Sequence, residues 1–494
     1  MRSSRFLLPA LGALALAACS ADRPEPLAPF TAPGAASRSV TETAGRYILA
    51  SNGGFAADLA DRVAALGGTL ESVHAAGGIA VVSGISDAAA ANLTSIRGVN
   101  EAQPDIEITL GSPLAAVEAD ASSIEDPAIT SQTNPATASR YPWQWNMRDI
   151  HANTAWAAGK LGSPDVKVAI LDSGIDYDAP DLNGLVDLAS STSFVSGDNA
   201  ITATYFPSRN AIGDYNGHGT NVASQVSSKA VALAGVSSRT TLMGVKVLGW
   251  NGSGSLSAVL NGILWAADHG ADVANMSLGV AGGVSKTAFG AYVSLVNRTF
   301  NYAKSKGMLM VVSAGNDGID LDHNGNIFAA YCDAPHVVCV SAVGPATATS
   351  TNIDEPAYFT NVGRSAIAVA APGGNADAAH NFALSPWPWG NDIASWVWSY
   401  CSKTRLATDA KGKLIQPLAL TGCAAGNRIT GYIGTSQASP HVAGLAALLV
   451  AEMGHNHPSA IKAAILNSAD DLGQPGTDPF YGRGRINVAK ALGL

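Results

Sequence analysis

Three motifs set reactive side chains among residues too small to crowd a substrate. VAILDSGID, beginning at Val168, carries Asp172; NGHGTNVA, beginning at Asn216, carries His218; GTSQASPHVAG, beginning at Gly434, carries Ser436. A carboxylate, an imidazole and a hydroxyl are the parts needed to make a serine nucleophilic near neutral pH. The imidazole takes the hydroxyl proton, and the carboxylate orients the ring and stabilises its charge. Each residue also has an ordinary use. Ser436 precedes the apolar run HVAGLAALLV and suits a helix cap. Asp172 suits an Asx-turn over Ser173 and Gly174, and His218 is one of 10 histidines. Only His218 stands in a glycine frame, and the three motifs share one domain-sized stretch, which favours the chemical reading. Asp176 and Asp181 read as turn or structural residues.

Such a triad needs rigid supports, and the surrounding pattern supplies them. From YPWQW at Tyr141 onward, short apolar runs alternate with helical stretches: VKVAIL at Val166, TLMGVKV at Thr241, DVANMSL at Asp272, MLMVVSA at Met308, VVCVSAV at Val337 and AIAVAAP at Ala366. Nearly continuous apolar strands separated by helices predict an α/β fold, a parallel sheet with helices on both faces. In such sheets functional groups gather beyond the carboxyl ends of the strands, where Asp172 and the segment SAGNDG at Ser313 both fall. His218 opens a helical run. Ser436 stands at the start of another, where Pro440 is tolerated in the first turn and free N–H groups suit a developing oxyanion.

A chain of 494 residues with 52 glycines is long enough for more than one unit, and its net charge of -9 argues against nucleic acid as a partner. Arg2 and Arg5 precede an apolar run from Phe6 to Ala18, a secretion signal too short to span a bilayer stably. It ends in LAAC, which resembles the bacterial lipobox and makes Cys19 a lipidation candidate; signal cleavage at the alanines is the plainer alternative. Of the 5 cysteines, Cys332 with Cys339 and Cys401 with Cys423 read as local pairs in an oxidising compartment, leaving Cys19 for lipid. The chain then divides into a signal at 1–19, a linker at 20–44, a small unit at 45–110, a processing linker at 111–140 and a large domain at 141–494. The small unit reads as strand (RYILA), helix (FAADLADRVAAL), strand (GIAVVSG), helix (DAAAANLTSI) and closing strand.

Residues 141–494 resemble the subtilisin family of serine endopeptidases, whose own chain order is Asp…His…Ser. The small unit, ending in VNEAQPD at Val99–Asp105, resembles that family's inhibitor-like, ferredoxin-like propeptide. The resemblance implies a secreted, self-processing zymogen acting as a monomer on proteins or peptides, with the propeptide as intramolecular inhibitor and cleavage after Ile108, within 109–140. Membrane contact would come only through Cys19, on the propeptide side, so processing would release the enzyme. The resemblance also makes Asn316 of SAGNDG the second oxyanion donor, and Gly252, Ser253 and Gly254 with Ser277, Leu278 and Gly279 the two edges that hold an extended substrate. Ser313, Ala314 and Gly315 would form one wall of the primary pocket, and the lack of charge there implies apolar preference before the cut.

Three departures stand out. Asn221 and Gln437 replace the family's usual His and Met; the latter removes an oxidisable thioether beside the nucleophile. SSKAVALAG at Ser227–Gly235 is too short for the family's tight calcium loop. DLDHNGN offers Asp320, Asp322, Asn324 and Asn326 as an alternative structural calcium set, but Tyr331 holds the place of a bidentate Glu, so a plain turn is equally open. No cofactor is required for the chemistry. An insertion at 375–430 carries PWPW at Pro386 and WVW at Trp396; its aromatics could line the substrate cleft, but core packing is the better reading. The rival reading is a non-catalytic binding lipoprotein on the same scaffold. A Ser-Glu-Asp hydrolase is disfavoured by His218.

Overall fold

The six apolar runs become strands because the sheet they build is covered on both faces. The computed structural model describes residues 41–110, 116–120, 131–279, 284–323, 327–328, 331–346, 350–376, 395–424 and 428–494. Its central sheet has seven strands in the order Val369–Pro372, Val337–Val343, Leu309–Ser313, Val273–Met276, Lys167–Asp172, Thr241–Lys246 and Thr192–Ser193. All their pairings are parallel. Alternation along each strand feeds two cores. Val168 and Ile170 pack with Val222, Val226, Leu445 and Leu449 on one face. Ala169 and Leu171 pack with Leu260, Ile263, Leu295 and Phe300 on the other. The chain order reverses around Lys167–Asp172, so the crevice at the sheet's carboxyl end opens beside Asp172, the last residue of that strand.

The N-terminal unit is an antiparallel sheet of Thr69–His74, Ile79–Ser83, Glu42–Ala50 and Glu101–Thr109, in that order. With helices Leu59–Ala65 and Asp87–Ala90 it has the β-α-β-β-α-β arrangement of ferredoxin-like folds. The strand Thr69–His74 is one the sequence reading did not anticipate. Its residues are half-buried or exposed, with Glu71, Ser72 and His74 among them, so no apolar stripe marks it. The second helix also stops earlier than the pattern suggests, giving way to a 3-10 turn at Leu93–Ser95. Leu49 faces the unit's own helices, while Ile48, Ala50, Ile106 and Ile108 face the helices Leu256–Asp268 and Val293–Ser305 of the large domain. A polar contact pins this interface. The buried Asp105 accepts from Ser257 N at 3.0 Å and Ser257 Oγ at 2.5 Å, at the start of Leu256–Asp268, and from Arg46 Nε at 2.8 Å.

Part of the 111–140 stretch is structured. Ala116–Asp120 pairs antiparallel with Arg428–Tyr432, which in turn pairs with Val397–Tyr400, and Ala138 is buried in the large domain's core. Trp396 and Trp398 are buried, as read; the other tryptophans of the insertion lie outside the described residues. Cys332–Cys339 and Cys401–Cys423 are disulfides. Cys19 lies outside the described residues, among which no helix is long and apolar enough to cross a membrane.

Candidate active site

Asp172 is fully buried and presents both carboxylate oxygens to His218 Nδ1, at 2.8 and 3.0 Å. A carboxylate only accepts, so Nδ1 carries the hydrogen and Nε2 of the neutral ring is left as the base. The glycine frame makes this approach possible. Gly217 has φ +99°, a left-handed conformation that favours glycine, and a methyl group at Gly219 would stand 2.1 Å from the carbonyl oxygen of Gly174. Burial pulls the His218 imidazole down. The charge and hydrogen bond of Asp172, with the charge of Asp214, outweigh it and hold the group above its ordinary 6.5.

Asp214 is a residue the sequence reading missed. Fully buried, it accepts from Ser173 Oγ (2.9 Å), Asn216 N (3.0 Å), Gly217 N (2.8 Å), Thr220 N (2.9 Å) and Thr220 Oγ1 (2.6 Å). It thus takes the Gly217 and Thr220 N–H groups at the start of the helix His218–Val226, while His218 N and Gly219 N donate to Asn216 Oδ1 and Ser173 Oγ, and its charge favours that end of the helix dipole. An acid just before a glycine-framed helix start was the available signal.

Ser436 is the second residue of the helix Thr435–Met453. Its Oγ donates to the Ser277 carbonyl at 3.2 Å, while Ser277 Oγ donates to the Ser436 carbonyl at 2.8 Å. The described hydrogen bonds therefore join Asp172 to His218 but not His218 to Ser436. Catalytic bonds of this kind often tighten only with substrate in place. The two helices are tied one residue beyond Ser436, where Gln437 Nε2 donates to Asn221 Oδ1 at 3.1 Å.

Asn316 follows the strand Leu309–Ser313, and its Oδ1 accepts from Thr435 N and Thr435 Oγ1, both at 2.8 Å. A methyl group at Gly434 would stand 3.4 Å from Asn316 Nδ2 and 3.7 Å from Ser436 N, so two donors border one small space that glycine keeps open. Two N–H donors converging beside a serine hydroxyl can stabilise an oxyanion. Asn361, also missed, braces this loop from full burial. Its Nδ2 donates to Ala314 O at 2.9 Å, and its Oδ1 accepts from Asp317 N at 3.0 Å and Ile319 N at 3.1 Å. Ser313 and Ala314 are buried beside it.

The edge at Gly252–Gly254 already holds an added strand. Glu107, Ile108 and Thr109 pair antiparallel with Ser255, Gly254 and Ser253, and Leu110 N donates to Gly252 O at 2.8 Å. On the second edge, Ser277 and Leu278 are buried next to Ser436 and Gly279 is half-buried.

Asp181 fills the place beside the short SSKAVALAG segment, accepting from Val231 N (2.7 Å), Ala232 N (3.0 Å) and Leu233 N (3.1 Å). Asp320 accepts from His323 Nδ1 at 2.9 Å and Asp322 N at 2.9 Å, whereas Asp322 accepts from Ser365 N at 3.0 Å and Ser365 Oγ at 2.5 Å. Asn324 and Asn326 lie outside the described residues. Among the described residues no three His, Cys, Asp or Glu side chains converge as metal ligands.

The Subtilase family model matches residues 163–484. A thermophilic serine proteinase of Bacillus sp. (strain AK1) is 31% identical over 353 residues, covering 71% of this chain and 67% of its own length. Thermitase of Thermoactinomyces vulgaris is 31% identical over 352 residues, covering 71% of this chain and 95% of its own. Among solved structures, fervidolysin of Fervidobacterium pennivorans, a keratinolytic enzyme related to subtilisin, shares the fold with a TM-score of 0.63 at 21% identity, over 94% of this chain and 64% of its own. A parallel sheet that delivers Asp172 to His218, beside a serine at a helix start, is what these relationships lead one to expect: the chain belongs to the subtilase family and is a serine endopeptidase.

Proposed function

We propose that the chain is a secreted zymogen that hydrolyses peptide bonds through an acyl-enzyme. His218 Nε2 takes the Ser436 proton as Oγ leaves Ser277 O and attacks the substrate carbonyl. Asp172 stabilises the imidazolium, and Asn316 Nδ2 with Ser436 N receives the negative oxygen. His218 then gives its proton to the leaving amine, and water repeats the sequence to free Ser436. Asp320 and Asp322 are assigned to a turn, since their carboxylates serve different hydrogen-bond partners, and no step passes through calcium. The wall at Ser313–Gly315 supports an apolar preference before the cut; strict preference for Arg or Lys in peptide libraries would refute it.

One observation carries the zymogen reading: the strand Glu101–Thr109 occupies the Gly252–Gly254 edge as an extended substrate would. It ends at Leu110 N on Gly252 O, with Gly252 close to Asn216 and thus near His218. Ala116, in the next described segment, pairs with Tyr432, whose hydroxyl lies near Gly217. We therefore place the processing bond between Leu110 and Ala116. A lipid on Cys19 would remain with the N-terminal unit, and this cut would free the peptidase from the membrane. Expression of wild type beside Ser436→Ala tests the reading. Wild type should yield a mature N-terminus within 111–116, and the variant should stay full length. Identical processing of both, or a binding protein that never processes, would reject it in favour of the non-catalytic alternative.

A further inference from the structure

His218 and Ser436 stand on different helices, so their spacing depends on what lies between those helices. A column of polar side chains does. Asn221 is three residues beyond His218, and Gln437 is one beyond Ser436; Gln437 Nε2 donates to Asn221 Oδ1 at 3.1 Å. One turn further along each helix come Gln225 and His441, bridged by Asn146 of the helix Trp145–Asp149. Asn146 Nδ2 donates to His441 Nε2 at 2.8 Å and lies 3.4 Å from Gln225 Oε1. His441 Nδ1 donates to Gln437 O and Gln225 Nε2 to Trp398 O, both at 2.7 Å.

These five side chains are all buried. Apolar side chains would fill such an interface without the desolvation that amides must recover through hydrogen bonds. Amides instead make the contact directional: the bond from Gln437 to Asn221 forms at one relative rotation of the helices, whereas an apolar contact tolerates several. The other end of the Gln437 amide completes the case. Its Oε1 stands 2.9 Å from a methyl group placed at Gly434, the same point that lies 3.4 Å from Asn316 Nδ2. A single side chain therefore touches the base helix and the corner where the oxyanion donors meet.

We propose that Asn221 and Gln437 form a positioning pair that sets His218 against Ser436 and the oxyanion donors. The proposal rests on the serine-endopeptidase reading above. Gln437→Met and Asn221→Leu remove the bond with side chains of similar length, and Gln437→Ser or Asn221→Ala serves if the larger side chain is not accommodated. Each variant and the double variant, made in the full chain and allowed to mature, is titrated with a serine-directed phosphonate and assayed on a peptide substrate. Each single change should lower kcat per titrated site about tenfold with KM within about twofold, and the double should lose no more than the worse single. Unchanged kcat, losses that multiply independently, or a rise in KM alone would overturn the pairing, as would a loss only of stability to urea. If wild type itself yields no titratable serine, the endopeptidase reading fails. If wild type turns over normally and the variants match it, the positioning pair alone fails.

Discussion

Asp214→Asn perturbs the base helix without touching a residue that meets substrate. The carboxylate receives five N–H or O–H donors, at 2.6 to 3.0 Å, and no cation among the described residues. Asparagine keeps one oxygen and presents an NH2 group in place of the other. Thr220 N and Thr220 Oγ1 share one oxygen, Oδ2, while the other three donors share Oδ1. The Thr220 and Ser173 hydroxyls can turn to accept from the amide, but a backbone N–H cannot: either Thr220 N, or Asn216 N and Gly217 N, is left facing another donor. At about 1–3 kcal/mol for each unsatisfied group, the loss should be at least about 1–3 kcal/mol, a sizeable part of a typical domain's stability. The charge has a second effect. Asp214 helps hold the His218 pKa up, so its removal should lower that pKa. The neutral ring is the competent base, and a lower pKa keeps it neutral further into acid; the acid limb of kcat/KM should move to lower pH. Urea unfolding of Asp214→Asn on a Ser436→Ala background, which prevents self-digestion, measures the first effect. A pH profile of the active single variant measures the second. A stability change under about 1 kcal/mol, or an acid limb that stays or moves upward, would refute this reasoning.

Asn316→Leu should cut kcat by about 10²–10³ with little change in KM, a magnitude known from subtilisin itself rather than worked out from this site; steady-state kinetics on an apolar peptide checks it. Asp105→Ala strips the start of helix Leu256–Asp268 of its buried acceptor and leaves Arg46 with Glu71 as its one carboxylate partner among the described residues, beside the Ser257 hydroxyl. In the Ser436→Ala precursor it should weaken docking of the N-terminal unit by about 3 kcal/mol, seen as earlier cleavage of that unit by an added protease. Asp149 is pushed up to about 8, by burial first and then Asp354 and Asp470 against the pull of Arg485. The fold therefore favours its protonated form, and that stabilisation is lost progressively as pH rises from the ordinary 3.8 to about 8. Asp149→Asn, which stays neutral, should gain in Tm relative to wild type across that range; a constant difference would count against it.

What could be read from the chain follows from how local each signal is. Asp172, His218 and Ser436 announce themselves because glycine must surround them: Gly217 adopts a left-handed φ and Gly219 abuts Gly174. The six main strands are legible because burial on both faces leaves almost no polar residue in them, and the cysteines because each partner is near in sequence. The unread features depend on distant contacts. Asp105 looks like a residue of its own strand yet caps a helix in another unit. Asn361 looks like one more loop amide, and only the fold brings it beneath Asn316. The strand Ala116–Asp120 finds its partner far along the chain, at Arg428–Tyr432, in a stretch whose composition reads as linker.

The claim that Asp172, His218 and Ser436 act as one unit meets its most direct test in covalent labelling. A serine-directed phosphonate, mapped by peptide mass spectrometry, should form a single adduct on Ser436 in wild type and label His218→Ala and Asp172→Ala orders of magnitude more slowly. No adduct on Ser436 in wild type, or labelling of His218→Ala at the wild-type rate, would contradict it.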